Sequence, residues 1–301
     1  MVNSSIDKLG KLRERYQLSD IDFADLFAII VKEVADGYLP SPEPRATILV
    51  GAPGSGKREL EKEAGSTLGD ILVICNPDNL RDFHPVSRRL KRIYPQFYAA
   101  ITTEYAQKWN DLLCVYCEDN RLNYILEPTF SSDCYLDEKI REMKDRGYIV
   151  DIMLLAVNPR FSLLGTHLYY ENCLELVGFA SKVSKEDHDR YFNAIPAIIE
   201  TITNNPLFDN LYIYSRSLER EFSGLVEGLK LVAHNPKDIM KIYMEEIERP
   251  WHPKFNEYFE QSCADVIEMM YKRSAMPTEI EGFKDELGIA LPINRFDNES
   301  D

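Results

Sequence analysis

The stretch TILVGAPGSGK, residues 47–57, limits the possible folds more than any other part of the chain. A short apolar run leads directly into a loop with three glycines, and a helix-patterned stretch begins at the lysine. Backbone N–H groups of residues without a Cβ can wrap a phosphate, while the helix N-terminus and the lysine ammonium add positive charge. Strand, loop and helix in this order are the context that a phosphate-binding loop requires. The residues predicted to bind phosphate are Gly51, Gly54, Ser55, Gly56, Lys57 and Arg58.

Further short apolar runs follow this first strand and alternate with helix-patterned stretches. They are DILVIC at 70–75, YILE at 124–127, VDIMLLAV at 150–157 and LYIYS at 211–215. Continuous apolar strands separated by helices are typical of a parallel sheet that is covered on both faces. The pattern therefore predicts an α/β fold. From residue 216 to about residue 275 the pattern predicts helices only.

The segment before the first strand predicts one amphipathic helix over residues 19–36. Ser19 is a suitable N-cap, Gly37 lies just past the end, and Phe23, Phe27, Ile30, Val31 and Val34 share one face. The proline-rich segment GYLPSPEPR that follows indicates a linker. We therefore divide the chain into a helical appendage with its linker at 1–44, an α/β core at 45–220 and a helical C-terminal extension at 221–301.

Charge and cysteine content restrict the partners and the compartment. The chain has 50 Asp and Glu against 35 Lys and Arg, which gives a net charge of -15 and argues against long nucleic acids and anionic membranes as partners. Six cysteines in 301 residues do not form a disulfide framework, and Cys114 and Cys117 are interpreted as core or helix-surface thiols. The N-terminus lacks an apolar signal core, so we expect a cytoplasmic protein, with export as an effector left open.

Acidic and hydroxyl side chains follow two of the predicted strands. Asp78 comes after the second strand, where open α/β sheets place their chemistry, and a carboxylate there can take the proton of an attacking hydroxyl. The alternative is that Asp78 caps the next helix. Glu127 and Thr129 follow the third strand and are candidates to bind a sugar hydroxyl, a water-bridged metal ion or a phosphate oxygen.

Arg58 occupies the position where loops of this kind usually carry the Ser or Thr that binds a metal ion. A guanidinium cannot ligate Mg²⁺, so we predict no protein metal site at this position. Mg²⁺ prefers a largely hydrated octahedral shell and can be held partly by the nucleotide. The loop therefore remains a candidate ATP site.

Several of these segments together resemble the zeta toxin family over roughly residues 46–216. They are VGAPGSGK, NPDNLRDFHP, YILEPTF, RGYIVDIMLLAVNPRFSLLGTHLYYE and LFDNLYIYSR. The resemblance implies a P-loop kinase fold, ATP as cofactor and phosphorylation of the 3′-hydroxyl of the sugar in UDP-N-acetylglucosamine. It also implies that Lys57 binds ATP phosphates, that Asp78 is the catalytic base, and that Glu127 and Thr129 bind substrate, although Pro128 replaces the glycine between them.

The chain departs from the family pattern at positions that manage phosphate charge. The resemblance places Tyr169 where the family has an arginine, and Lys182 approximately at a second arginine; both are counted as substrate-site residues. Arg216 matches a position where a nucleotide contact or a structural role is implied. Arg58, Arg160 and Arg190 are candidates to replace the lost charge; the alternative for each is a solvated surface charge or a helix-terminal pair.

These features leave three functions open. The first is an active kinase acting on a nucleotide sugar or a similar nucleotide-linked molecule, and the second is a nucleotide-binding pseudokinase or regulatory module. The third is an effector kinase that phosphorylates another cofactor. The resemblance also implies an antitoxin partner that blocks the ATP site, a role that the helical appendage at 1–36 is a candidate to play in cis; the alternative is that its helix only packs on the flank of the sheet and stabilises the fold.

Overall fold

A mixed sheet of six strands forms the centre of the molecule, in the order β2-β3-β1-β4-β5-β6. The computed structural model describes residues 2–68, 72–128, 133–219 and 225–289. The strands are β1 (Arg45–Val50), β2 (Val73–Cys75), β3 (Tyr124–Leu126), β4 (Ile149–Leu155), β5 (Asn210–Glu219) and β6 (Leu225–His234).

Strands β1 to β5 are parallel, as the sequence predicts. Their residues are almost entirely buried in β1, β3 and β4, because helices cover both faces and leave no polar side for the strands to show. The α/β prediction with a parallel sheet is confirmed, and the strands lie within a few residues of the predicted positions.

Strand β6 is the main difference from the sequence-based expectation. The prediction of helices from residue 216 onward was wrong for residues 216–219, which complete β5, and for 225–234, which form β6. β6 pairs antiparallel with β5, with irregular register at Ile213/Tyr214 and Ser217/Glu219. An edge strand that carries Lys230 and Gly228 lacks the continuous apolar run by which the inner strands were found.

Twelve α-helices in the described part of the chain surround the sheet. They are α1 (Val2–Arg15), α2 (Asp20–Val34), α3 (Lys57–Leu68), α4 (Pro77–Leu80), α5 (Ser87–Ile93), α6 (Tyr98–Asp119), α7 (Asp133–Asp145), α8 (Pro159–Val177), α9 (Lys185–Asn204), α10 (Ile239–Glu248), α11 (Pro253–Lys272) and α12 (Pro277–Leu287). Residues 81–83 and 95–97 form short 3-10 helices.

Two hydrophobic clusters lie on opposite faces of the sheet. On one face, α2, α6, α7, α9 and α10 pack on the strands, with Trp109 and Tyr243 among the fully buried side chains. On the other face, α3, α8, α11 and α12 pack together, with Leu60 and Phe283 fully buried. Since α8 runs along this second face, it is placed to meet the loop that follows β1.

The N-terminal helices pack on the same side of the fold as α5 and α6. The predicted cap of α2 is confirmed, because the Ser19 side chain accepts a hydrogen bond from the Asp22 backbone N–H at 3.1 Å. Phe23 stacks on Trp109 of α6 with ring centroids 5.4 Å apart, and Ile30 is completely buried. Helix α1 contributes Leu12 to a third cluster with α5 and the start of α6.

The thiols of Cys114 and Cys117 are buried in the first cluster, so their interpretation as core cysteines is confirmed. Cys75, at the end of β2, hydrogen bonds with both of them, and burial raises its pKa well above the usual value. Across the described ranges, no helix combines the length and apolar character that crossing a membrane requires. No group of three or more His, Cys, Asp or Glu in those ranges is arranged to hold a metal ion.

Candidate active site

The loop between β1 and α3 has a backbone that only glycine adopts without strain at two positions. Gly54 has φ of +72° and Gly56 has φ of +102°, both in the left-handed region. Ser55 is buried, its backbone N–H donates to the carbonyl of Ala52 at 3.2 Å, and its hydroxyl donates to the same oxygen at 2.7 Å. The glycines thus set the curvature of the loop, and Ser55 ties it internally.

Helix α8 supports this loop through direct contact between two backbones. A Cβ on Gly54 would lie 2.1 Å from the carbonyl oxygen of Ser162, and a Cβ on Gly165 would lie 2.2 Å from the carbonyl oxygen of Gly54. Neither distance is compatible with a side chain. Gly165 is therefore part of the site, although sequence reasoning missed it because it lies far from the loop and inside a helix.

Arg216 approaches the loop from β5. One of its terminal guanidinium nitrogens lies 2.1 Å from the position that a Cβ on Gly56 would take, so the guanidinium packs directly on that glycine. Burial lowers the pKa of Arg216, while Tyr258 and Glu59 raise it. A pocket of about 180 Å³ opens beside it, lined by Gly54, Phe161, Leu164, Gly165, Leu168 and Arg216. The structure therefore brings Arg216 and the loop together.

Lys57 begins α3 with its ammonium turned back into the loop. Nζ donates to the carbonyls of Gly51 at 3.1 Å and Ala52 at 3.2 Å, and it forms an ion pair of 3.3 Å with Glu127. The other carboxylate oxygen of Glu127 accepts a hydrogen bond of 2.7 Å from the Asn76 side chain. Residues from three separate chain segments thus meet at the carboxyl ends of β1, β2 and β3.

Asp78 stands at the first turn of the short helix α4. The cap of this helix is Asn76, whose side-chain oxygen accepts from the Asp78 backbone N–H at 2.9 Å. The alternative that Asp78 itself is the cap was therefore wrong. Its carboxylate pairs with Arg81 at 2.8 Å and is 69% exposed, so it stays accessible to a second molecule. Asn76 links it to Glu127 and, through Glu127, to Lys57.

Thr129 lies outside the described residues. Glu61, which sequence reasoning missed, lies one turn after Lys57 on α3, and burial and the charge of Glu127 raise its pKa while Arg58 and Lys57 lower it. Its four-residue spacing from Lys57 on a predicted helix is the signal that would have found it.

Arg58 and Tyr169, two of the departures from the family pattern, are in contact. The guanidinium carbon of Arg58 lies 4.6 Å from the centroid of the Tyr169 ring, and Nη2 donates to the Tyr169 hydroxyl at 3.0 Å. Burial, and then a hydrogen bond with Cys173, raise the pKa of Tyr169, so the phenol is neutral at physiological pH. The structure therefore joins α3 and α8 across the side of the loop.

The other candidate cations are engaged elsewhere. Arg160 donates to the carbonyl of Leu287 at 2.8 Å, and Arg190 pairs with Asp187 at 2.8 Å. Lys182 is exposed, with Nζ 6.0 Å from the ring centroid of Tyr170. Arg160 and Arg190 therefore act as structural or surface charges and not as replacements for the lost arginines. Of these three arginines, Arg58 lies beside the loop.

His188 of α9 lies beneath the loop, which the sequence gave no reason to expect. Its Nε2 lies 2.8 Å from the hydroxyl of Ser162, whose carbonyl touches Gly54, and its Nδ1 lies 3.0 Å from Asp189. Burial lowers the pKa of His188, and Asp189 raises it. A neutral imidazole accepts from Ser162 and donates to Asp189, so it connects α9 with the part of α8 that supports the loop.

The sequence also matches a known protein family. The family model described as zeta toxin matches residues 31–248, which is more than half of the chain. The chain belongs to the zeta toxin family. The match includes the end of α2, the whole sheet and α10, and thus reaches beyond the 46–216 of the resemblance.

Individual relatives are similar at about one quarter identity. Toxin PezT of Streptococcus pneumoniae serotype 4 (strain ATCC BAA-334 / TIGR4) is 25% identical over 199 residues, which are 66% of this chain and 79% of the relative. Toxin zeta of Enterococcus hirae is 25% identical over 197 residues, 65% of this chain and 68% of the relative.

Solved structures show the same fold. A structure described as the PezAT chromosomal toxin-antitoxin system of Streptococcus pneumoniae matches with a TM-score of 0.70 at 20% identity, over 84% of this chain and 98% of the other. AvrRxo1-ORF1:-ORF2 with ATP matches with a TM-score of 0.53 at 14% identity, over 93% and 83% of the two chains. The P-loop kinase-type fold of this zeta toxin family member is thus confirmed.

Proposed function

We propose that this protein is an ATP-dependent phosphotransferase with an alcohol group as acceptor, that is, a kinase of the zeta toxin type. The observation that carries the proposal is the loop itself: glycines at positive φ, Lys57 at the start of α3 and the guanidinium of Arg216 packed on Gly56. Backbone N–H groups, a helix N-terminus and two cations converging on one loop suit a polyphosphate. The structural neighbour with ATP supports the nucleotide.

Lys57 and Arg216 would bind the nucleotide phosphates, with the pocket beside Arg216 available to the rest of the nucleotide. A phosphate entering the loop competes with Glu127 and the loop carbonyls for the Lys57 ammonium. Rotation of the Lys57 side chain would bring the ammonium to the phosphate. Released from Lys57, the carboxylate of Glu127 can accept a hydrogen bond from an acceptor hydroxyl. Phosphate binding at Lys57 thus frees Glu127 for the acceptor, which favours binding of the nucleotide before the acceptor.

Asp78 is proposed as the base that receives the proton of the acceptor hydroxyl. Its exposure and its position beside Glu127, through Asn76, place a carboxylate at the strand ends where the acceptor would bind. Arg81 pairs with this carboxylate at 2.8 Å and restrains its position. A nucleotide sugar similar to UDP-N-acetylglucosamine, or a related nucleotide-linked molecule, is the proposed acceptor, with Thr129, Tyr169 and Lys182 as further substrate-site proposals.

Magnesium suits this site only as a partner of the nucleotide. No serine or threonine follows Lys57, and the Ser55 hydroxyl is turned to the Ala52 carbonyl. The carboxylates of Glu61 and Glu127 lie near Lys57, where they can bind waters of a hydrated ion. We therefore propose Mg²⁺ held by phosphate oxygens and water, which supplies additional positive charge to the transferring group.

A protein partner is proposed from the neighbours, two of which are described as a toxin-antitoxin system and as an ORF1:ORF2 complex. For the N-terminal helices, packing of α1 and α2 on α5, α6 and the core favours the stabilising role over inhibition in cis. A cytoplasmic location and the division of the chain at residues 44 and 220 also stay proposals.

The kinase proposal is tested by incubating the protein with Mg²⁺-ATP and a panel of UDP-sugars and dinucleotides, followed by mass spectrometry. We expect a phosphorylated product that Lys57→Ala abolishes and Lys62→Ala does not. Lys62 is a matched control because it lies on the same helix, 72% exposed and paired with Glu59. Absence of product with every acceptor contradicts the proposal.

A nucleotide-binding module without turnover is the second candidate, favoured by the pairing of Asp78 with Arg81 and of Arg58 with Tyr169. Titration calorimetry separates the two. Tight ATP binding that is unchanged by EDTA, together with no turnover, supports the second candidate. Binding that strengthens with Mg²⁺ supports the kinase.

A further inference from the structure

The side chain of Arg58 is held at the rim of the phosphate loop by an uncharged partner. It lies in the first turn of α3, directly after Lys57, with its guanidinium 4.6 Å from the Tyr169 ring centroid and 3.0 Å from the Tyr169 hydroxyl. A cation over an aromatic face is attracted by the ring, and the hydroxyl fixes its orientation. The guanidinium is therefore oriented while its charge is not neutralised by its partner.

Three arginines of the chain that do pair with carboxylates show the difference. Arg81 pairs with Asp78, Arg190 with Asp187, and Arg273 with Glu171 and Glu279. Within residues 2–68, 72–128, 133–219 and 225–289, no carboxylate forms an ion pair with Arg58. An exposed guanidinium in this situation keeps its capacity to bind an anion.

The position of Tyr169 relative to the loop is fixed by the backbone. Gly165 touches Gly54, and Tyr169 lies four residues further on α8, which is about one helical turn along the same face. Because α8 cannot slide at the glycine contact, the ring stays beside the first turn of α3. Arg58 is thus preorganised rather than free to sample many rotamers, which reduces the entropy cost of binding.

We propose that Arg58, positioned by Tyr169, binds the terminal phosphate of the nucleotide and stabilises it during transfer. This inference rests on the proposed phosphotransferase activity. Arg58 stands where loops of this kind carry the hydroxyl that binds Mg²⁺, so a fixed protein cation takes over part of the charge compensation there. Its planar fork can offer two N–H donors to two phosphate oxygens, which an ammonium cannot do.

Phosphoryl transfer breaks one bond of the nucleotide and forms one bond to the acceptor. The bond between the terminal phosphorus and the β,γ-bridging oxygen breaks, and its electron pair stays on the diphosphate. A bond forms between the terminal phosphorus and the acceptor oxygen, whose proton passes to Asp78. Arg58 and Lys57 offset the negative charge on the terminal oxygens throughout, and in this step Tyr169 acts through Arg58, which it positions.

Calorimetric titration with ATP and with ADP tests the inference, because only ATP carries the terminal phosphate. We expect Arg58→Gln to weaken ATP binding about tenfold or more and ADP binding less than about threefold. Arg58→Lys should recover part of the ATP affinity, and Tyr169→Phe, which keeps the ring and removes the hydroxyl, should weaken ATP by a few-fold. In turnover assays, Arg58→Gln should lower kcat more than it raises KM.

Arg190→Gln is the matched control, since Arg190 is also an exposed arginine over a tyrosine ring, 5.2 Å from Tyr191, but is paired with Asp187. It should leave the ratio of ATP to ADP affinity unchanged. Melting temperatures of all variants show whether folding is intact; Tyr169 is 47% exposed, so small changes are expected.

The outcomes separate this inference from the proposed function. If Lys57→Ala abolishes nucleotide binding while Arg58→Gln leaves the ATP to ADP ratio unchanged, the role of Arg58 is overturned and the nucleotide site stands. If the wild-type protein binds neither nucleotide, both fail. An equal loss of ATP and ADP affinity in Arg58→Gln shows a structural role for Arg58 and also overturns the inference.

Discussion

The two sides of the candidate active site are built in different ways. On the nucleotide side, the loop is held by backbone contacts, with Gly54 against Gly165 and Gly56 against Arg216. On the acceptor side, Asp78 stands on a helix of four residues and its carboxylate is 69% exposed. A backbone-built site tolerates little change, whereas a site made of exposed side chains on short helices can change its substrate without disturbing the fold.

The strongest test of this comparison is the loss of the proposed base. Asp78→Asn should reduce phosphotransfer by about 10²–10⁴-fold, because the amide cannot take a proton from the acceptor. The free energy of unfolding should change by less than about 0.5 kcal/mol, since the side chain is exposed. Steady-state kinetics and urea denaturation measure the two quantities. Asp285→Asn, an exposed change on α12, is the control, and equal rates for both variants would exclude Asp78 as the base.

The next largest effect concerns the nucleotide side. Gly165→Ala introduces a Cβ 2.2 Å from the carbonyl oxygen of Gly54, so α8 and the loop must separate. A displacement of about 1 Å at a site of this kind lowers the reaction rate about 100-fold, which turnover assays would detect, and ATP titration would show whether affinity falls as well. Unfolding free energy should fall by about 1–3 kcal/mol.

Gly282→Ala is the matched control for this change. Gly282 also lies inside a helix, but a Cβ there meets nothing within 4 Å, so the variant should gain up to about 1 kcal/mol from helix propensity. If Gly165→Ala binds ATP like the wild type, the loop does not depend on its contact with α8.

The N-terminal helices α1 and α2 pack on the acceptor side, so they test whether that side depends on its supporting helices. Ile30→Ala should lower the free energy of unfolding by about 2–4 kcal/mol, since Ile30 is fully buried in the first cluster. Ile21→Ala on the same helix should change it by less than about 0.5 kcal/mol, because Ile21 is 75% exposed. Denaturant melts give both values.

Activity per folded molecule should remain the same in both isoleucine variants. An increase in turnover for Ile30→Ala, measured where the variant is still folded, would instead indicate that the helix restrains the enzyme.

The smallest expected effect is a pH dependence that distinguishes the two sides. Burial lowers the pKa of His188 in the folded protein below its usual value of about 6.5, so the unfolded chain binds this proton first as pH falls. Above about pH 6.5 this histidine therefore does not reduce the free energy of unfolding. Between pH 6.5 and 5.5 it reduces the free energy of unfolding by up to about 1 kcal/mol. Unfolding free energies of the wild type and His188→Gln at pH 7.5 and 5.5 measure this contribution.

His84, a buried histidine on the acceptor side, is the control, because burial also lowers its pKa while the backbone of Tyr16 raises it. Both His188→Gln and His84→Gln should flatten the pH dependence of stability. Only His188→Gln should also alter the pH dependence of ATP binding, since His188 supports α8 beneath the loop. The same effect from His84→Gln would show that the two sides are coupled.

Sequence patterns predicted the parallel strands, the phosphate loop and the cap at Ser19, because each depends on neighbouring residues. They failed where distant segments meet. Gly165 gave no signal, since its role comes from a contact with Gly54 across the fold. Strand β6 was predicted as helix, because an edge strand carries mixed polarity and is recognised only by its pairing with β5. The contact of Arg58 with Tyr169 likewise requires α3 and α8 to be placed in space.

Strand β6 has a consequence for the order in which the protein is made. The loop at residues 51–57 leaves the ribosome early, but Arg216 lies on β5, which β4 borders on one side and β6 on the other. A nascent chain that ends before residue 225 has the loop without the strand that completes the support of Arg216. The pairing of β5 with β6 is therefore completed only after residue 225 has been synthesised, so the surroundings of Arg216 beside the loop are finished late in synthesis.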